Sequence, residues 1–248
     1  MVKTFRNYIK NASTCGFLLP PPTFRATKMF HAFARLVAFI QVGKIRIKGL
    51  ETLQELPAPY IVASNHPHYA DAVIIPLTIN APARYMIARE VMQFAGGLGA
   101  LITAPAGGFA VDIDQGQGAP AYRAAVRVLT SNQRLVIFPE GWAHLDGKMH
   151  AFKKGTVCIA KQAAQKIDQA INIVPVFLRY GRYPGEWINK LNPRLQYLLT
   201  SLCFLRYRRG VTVVVGNPIS SSVLPTCNAE ATKMLQNAII DLDPTKNL

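Results

Sequence analysis

The stretch that decides the fold is Tyr60-Ile-Val-Ala63 followed by Ser64-Asn65-His66-Pro67-His68-Tyr69-Ala70-Asp71. A short apolar, β-branched run gives way to polar residues and a proline, and helical composition resumes over 70–78, so the segment reads as strand, loop, helix. Loops that follow strands are where α/β proteins build their sites. This loop holds His66 and, five positions on, Asp71. An imidazole titrates near neutrality and can take the proton of an attacking hydroxyl. A carboxylate on its other nitrogen would fix the tautomer and support the imidazolium, the orienting role of a triad aspartate without a protein nucleophile.

Similar runs recur on either side. Segments 44–48, 134–138, 171–178 and 211–215 read as further strands, and 120–130, 156–167 and 229–240 as helices, with Pro120 suited to a first turn. This alternation predicts an α/β fold, a central sheet with helices on its faces. A chain of 248 residues, 50% hydrophobic, can bury the core of one large domain. No internal repeat, low-complexity tract or linker divides it.

Charge is distributed unevenly. Lys and Arg number 28 against 13 Asp and Glu, for a net +15, and no acidic residue precedes Glu51. A cationic end of this kind suits anionic lipid headgroups, nucleic acid or an acidic carrier protein, and it also describes a transit peptide, so organellar import stays open. Nucleic acid is not expected as a partner, because the chain has no RNP-type run, zinc-finger spacing or aromatic-basic repeat.

Within 28–42 the apolar Met29, Phe33, Leu36 and Ile40 recur at helical spacing, while Lys28, His31, Arg35 and Gln41 take other faces. Such an N-terminal amphipathic helix packs on a core or lies in a membrane interface, and the surrounding cations favour the interface. Residues 1–42 are therefore expected to form a basic, membrane-associating segment and 43–248 the catalytic domain. A second interfacial candidate is 187–209, where Trp187, Lys190, Arg206, Arg208 and Arg209 bracket apolar residues. The longest uncharged stretch, 91–111, holds Gly96, Gly97, Gly99, Pro105, Gly107 and Gly108, too many breakers for a spanning helix. Pro20, Pro21 and Pro22 interrupt the only candidate signal region. Cys15, Cys158, Cys203 and Cys227 give no metal or disulfide spacing, which fits a reducing, intracellular setting.

His-x4-Asp alone is a weak signal. It gains weight from three blocks downstream of it, in this order: Phe138-Pro139-Glu140-Gly141 at the end of a strand, Phe152-Lys153-Lys154-Gly155 opening a helix, and Ile173-Val174-Pro175-Val176. In order, Asn65 to Asp71, Gly107-Gly108-Phe109, Phe138 to Gly141 and Val174-Pro175-Val176 resemble the signature of the 1-acyl-glycerol-3-phosphate acyltransferase family, over about residues 45–218. The resemblance implies a glycerolipid acyltransferase-like mixed sheet. It also implies direct transfer of a fatty acyl group from acyl-CoA or acyl carrier protein to a hydroxyl of a lyso-glycerolipid. His66 would be the base and Asp71 its orienter, with Glu140 and Gly141 lining the acceptor site and Asn65, Gly108, Phe109, Lys153 and Lys154 as further substrate-binding candidates. It implies no metal or redox cofactor, and a peripheral or monotopic place on the cytoplasmic face of a membrane.

Two departures bear on the acceptor. Members of that family often carry arginines shortly after the Gly-x-Phe block and in a Thr-Arg-Ser continuation of Phe-Pro-Glu-Gly. Here those places read Val111-Asp112-Ile113-Asp114 and Trp142-Ala143-His144. A guanidinium fork matches phosphate and an aspartate repels it, so a phosphomonoester acceptor loses support and a non-phosphate lipid gains some. Lys153 and Lys154 could substitute in part, as point charges.

Plainer readings stand beside these. His68 with His66 and Asp71 lacks a further metal ligand. Glu140 could simply brace its turn. His144 and His150 read as surface groups or as supports behind the site, and no Gly-x-Ser-x-Gly supports a serine hydrolase. A noncatalytic lipid-binding module is the rival from another class, and retention of both His66 and Asp71 argues against it.

Overall fold

The computed structural model describes residues 2–79, 81–112, 119–181, 186–192, 195–196, 199 and 210–246. The chain enters through α1 (Val2–Ala12) and α2 (Phe24–Gln41), then β1 (Ile45–Lys48) and α3 (Leu50–Glu55). There follow β2 (Tyr60–Ser64), α4 (Asp71–Ile74) with a 3₁₀ turn at Ile75–Thr78, β3 (Ala83–Ala88), α5 (Arg89–Thr103), β4 (Gly108–Val111), α6 (Ala119–Thr130) and β5 (Arg134–Ile137). The chain continues through α7 (Gly155–Ile167), β6 (Asn172–Tyr180), α8 (Glu186–Asn189), β7 (Val211–Val215), β8 (Ile219–Ser220) and α9 (Asn228–Ile240).

The strands form one mixed sheet in the order β1-β7-β6-β2-β5-β3-β4, with β8 also on β6. The run from β6 to β4 is parallel. β7 and β8 lie antiparallel to β6, and β1 runs parallel with β7. β2 is apolar at Tyr60, Ile61, Val62 and Ala63 because helices cover both faces of the sheet. Ile61 and Ala63 pack in one core with Phe109, Leu129 and Ile159. Tyr60 and Val62 point the other way, into a core with Ile74, Val174 and Val213. The five strands read from sequence all form, and β3, β4 and β8 complete the sheet.

α2 starts earlier than its periodicity predicts, at Phe24, because the Thr23 side chain caps it by accepting from Ala26 N–H at 3.2 Å. Its inward face is small: Thr27, His31, Ala34 and Ala38 are buried. Its large apolar residues look outward, with Met29 74%, Leu36 58% and Phe39 73% exposed. Among the described residues no helix is long and apolar enough to cross a membrane.

The glycine-rich 91–111 stretch forms most of α5 and all of β4. Between Phe94 and Gly97 the backbone leaves helical values, and Gly97 takes φ +102°. A Cβ there would lie 2.4 Å from Ile9 Cγ2, so the missing side chain is what lets α1 pack onto α5. The glycines that count against a spanning helix thus serve a kinked helix and a close approach. Of the 187–209 candidate, Trp187 lies in α8 and is 50% exposed, while residues 200–209 fall outside the described residues.

Candidate active site

The site forms beyond the carboxyl ends of β2, β5 and β6, the side of a parallel sheet on which α/β proteins hold ligands. The loop after β2 carries His66, and α4 begins at Asp71, which faces back to it. His66 Nδ1 and Asp71 Oδ2 lie 2.9 Å apart. With Nδ1–H donated to the carboxylate, Nε2 keeps its lone pair and can accept a proton. His66 has 15% of its side chain exposed and Asp71 none. The imidazole stacks on Phe138, ring centroids 4.1 Å apart at 16°, which holds its plane.

Asp71 takes two more donors. His68 N–H donates to Oδ2 at 2.9 Å, and the Tyr180 hydroxyl, from the end of β6, donates to Oδ1. Complete burial pushes this carboxyl above the ordinary range, and the hydrogen bonds from His66, Tyr180 and His68 pull it back. His68 itself is pushed down to about 3 by burial, with His66 adding to the effect, so it is a neutral structural imidazole. Its Nδ1 accepts from Ala70 N–H at 3.0 Å.

The backbone of His66 is clamped as well. Glu140 Oε1 accepts His66 N–H at 2.7 Å while Oε2 accepts His150 N–H at 3.0 Å. Burial pushes the Glu140 carboxyl up, and these backbone donors oppose that. The carbonyl of His66 accepts His144 N–H at 3.0 Å. The loop after β5 is therefore tied to both the N–H and the carbonyl of His66.

A cavity of about 1130 Å³ runs from this point between α2, α5, α6 and α7, larger than the roughly 300–1,000 Å³ of ordinary ligand pockets. His66, Asp71, Tyr69, Gly141, Trp142, Lys153 and Lys154 line its polar end, and Val91, Ile102, Val111, Tyr122, Val136 and Ile159 are among its apolar lining. Phe33 and Ile102 line it and are also exposed, so α2 and α5 flank an opening to the surface.

The His66–Asp71 pair thus stands at the polar end of a long, mostly apolar cavity. A family model described as Acyltransferase matches residues 44–179. The chain belongs to the Acyltransferase family. Among solved structures, this acyltransferase is similar to the 1-acyl-sn-glycerophosphate (LPA) acyltransferase PlsC from Thermotoga maritima. The TM-score is 0.61 at 18% identity, over 90% of this chain and 80% of that one. The fold is thus that mixed α/β architecture, as the sequence blocks predict. No curated protein matches the chain.

The structure of this acyltransferase sorts the candidate residues. His66, Asp71, Gly141, Lys153 and Lys154 meet at the cavity. Asn65 is buried behind it, where its side chain donates to Leu178 O at 3.1 Å and accepts Leu178 N–H at 2.7 Å, tying the end of β2 to β6. Glu140 is 5% exposed, with both oxygens on backbone donors, so it braces the loop. Gly108 and Phe109 are buried in β4. A Cβ at Gly108 would lie 2.6 Å from Ile87 Cδ1, and Phe109 is fully buried in the core. In this chain both pack the inside of β4, and neither lines the cavity. Tyr180 had no sequence signal, because a tyrosine ending an apolar strand reads as core until its partner is known.

Proposed function

We propose that this acyltransferase moves a fatty acyl group from a thioester, acyl-CoA or acyl carrier protein, to the free hydroxyl of a lyso-glycerolipid. His66 acts as general base and Asp71 as its partner. The observation that carries the reading is the His66–Asp71 pair at the polar end of a long apolar cavity. His66 Nε2 takes the hydroxyl proton as the oxygen attacks the thioester carbonyl, and the carbonyl π electrons move to its oxygen. When the tetrahedral intermediate collapses the C–S bond breaks, and the imidazolium returns its proton to the departing thiolate. The activated acyl group comes with the donor, so the reading invokes no metal or redox cofactor.

The same reading places the enzyme peripherally on an anionic, cytoplasmic leaflet. Met29, Leu36 and Phe39 would enter the interface, with the basic residues of 1–42 against the headgroups. That side of the molecule also holds the opening between α2 and α5, through which a lipid acceptor would enter.

Purified protein with a labelled acyl thioester and a panel of lyso-lipids tests the activity. His66→Ala should fold and bind liposomes as wild type does, with a rate about 10²- to 10⁴-fold lower. Activity within about tenfold of wild type would remove His66 from the mechanism.

A further inference from the structure

We infer that the acceptor carries a zwitterionic head, with the phosphodiester of a lysophospholipid on Lys153 and its ammonium group against the indole of Trp142. This rests on the acyl-transfer reading above and names the lipid class that the site takes. Among the described residues lining the cavity the cations are Lys153 and Lys154, and there is no arginine. The two acids there already have partners: Asp71 in His66, and Asp112 in Arg89 at 2.6 Å.

Lys153 lies along the turn after β5. Its N–H donates to Pro139 O at 2.8 Å, and its Nζ stands 2.9 Å from where a Cβ of Gly141 would be. With φ +80° and no side chain, Gly141 leaves room for the ammonium group, and Trp142, the next residue, lines the same cavity. The Trp142 ring meets Tyr69 edge-on, centroids 6.5 Å apart at 90°. Tyr69 is three residues from His66, and Trp142 two from His144, whose N–H holds the His66 carbonyl. The aromatic corner is therefore fixed to the base through both of its members.

The negative face of an indole attracts an alkylammonium and opposes a phosphate dianion. A phosphomonoester is best held by guanidinium forks, and none is present among the described residues lining this site. Two lysines could balance its charge, but that arrangement gives the aromatic corner no task. A phosphodiester needs one cation, which Lys153 supplies, and the ammonium that follows it in the headgroup needs an aromatic face.

The full-length protein, in neutral-detergent micelles with one labelled acyl-CoA, should acylate lysophosphatidylcholine and lysophosphatidylethanolamine faster than lysophosphatidic acid. Trp142→Ala should lower kcat/KM for lysophosphatidylcholine about five- to thirtyfold and leave lysophosphatidic acid within roughly twofold, while Trp142→Phe keeps most of the choline rate. On the wild type, soluble glycerophosphocholine, which carries the phosphodiester, should inhibit more strongly than glycerol phosphate. A wild type that prefers lysophosphatidic acid, or a Trp142→Ala loss equal for every acceptor, would overturn the proposal and leave acyl transfer intact. Failure to acylate any lipid hydroxyl would sink both.

Discussion

Asp71 is wholly buried and receives donors from His66, His68 and Tyr180. A buried carboxylate is tolerated only when its lone pairs are met, so each donor helps keep the partner of the base charged. Tyr180→Phe removes one donor and should lower kcat about tenfold or more with KM little changed, a hydrogen bond to a charged group being worth about 1.5–3 kcal/mol. Tyr180 holds the Asp71 carboxyl down, so its loss raises the proton affinity there. The acid limb of the pH–rate profile should then move to higher pH, a shift that simple loosening of the fold would not produce. Asp71→Asn should cost nearly as much as losing His66, because it keeps the shape and removes the charge. The ordered blocks that accompany it, more than its own spacing, made the His66–Asp71 pair legible. The Tyr180 contact spans 109 residues, and no local pattern announces it. For Glu140 the plainer reading, a braced turn, matches where its carboxylate sits.

In α2 the sequence pattern showed which residues are apolar but not which way they face. A helix with small residues on one side and large apolar ones on the other packs its small side closely and presents the large side elsewhere. Met29→Ser with Phe39→Ser should weaken cosedimentation with anionic vesicles and leave the melting temperature nearly unchanged. Ala34→Leu, on the fully buried face, should do the reverse, destabilising by about 1–3 kcal/mol through overpacking. α5 was illegible for a different reason: its glycines weaken helix propensity, and only the approach of Ile9 explains why one of them is needed. Gly97→Ala should speed amide exchange in α1 before the rest of the fold is affected.

For the molecule as a whole, alternating apolar runs predicted the sheet and its helices. The antiparallel return of β7 and the pairing of β1 beside it depend on tertiary packing that no local signal encodes. The net charge of +15 predicts that vesicle binding weakens with added salt and with loss of anionic lipid. A chain lacking residues 1–42 that bound as well at every salt concentration would move the contact elsewhere. Stability should fall on acidification. The folded pKa of His68 is depressed to about 3 from 6.5, so the unfolded chain takes up a proton below 6.5 that the folded one refuses until about 3. His68→Asn should remove up to about 1.4 kcal/mol per pH unit from that slope, read by urea midpoints between roughly pH 6 and 4. The Glu140 clamp has a consequence for how such enzymes diversify. Because one carboxylate fastens His66 and the far end of the following loop together, the residues between them, 141–149, form a cassette that can be exchanged where it keeps buried Ala143 and Leu145 and the His144 N–H on His66. A cassette grafted from a relative with another headgroup preference should transplant that preference while the proton-transfer machinery stays in register.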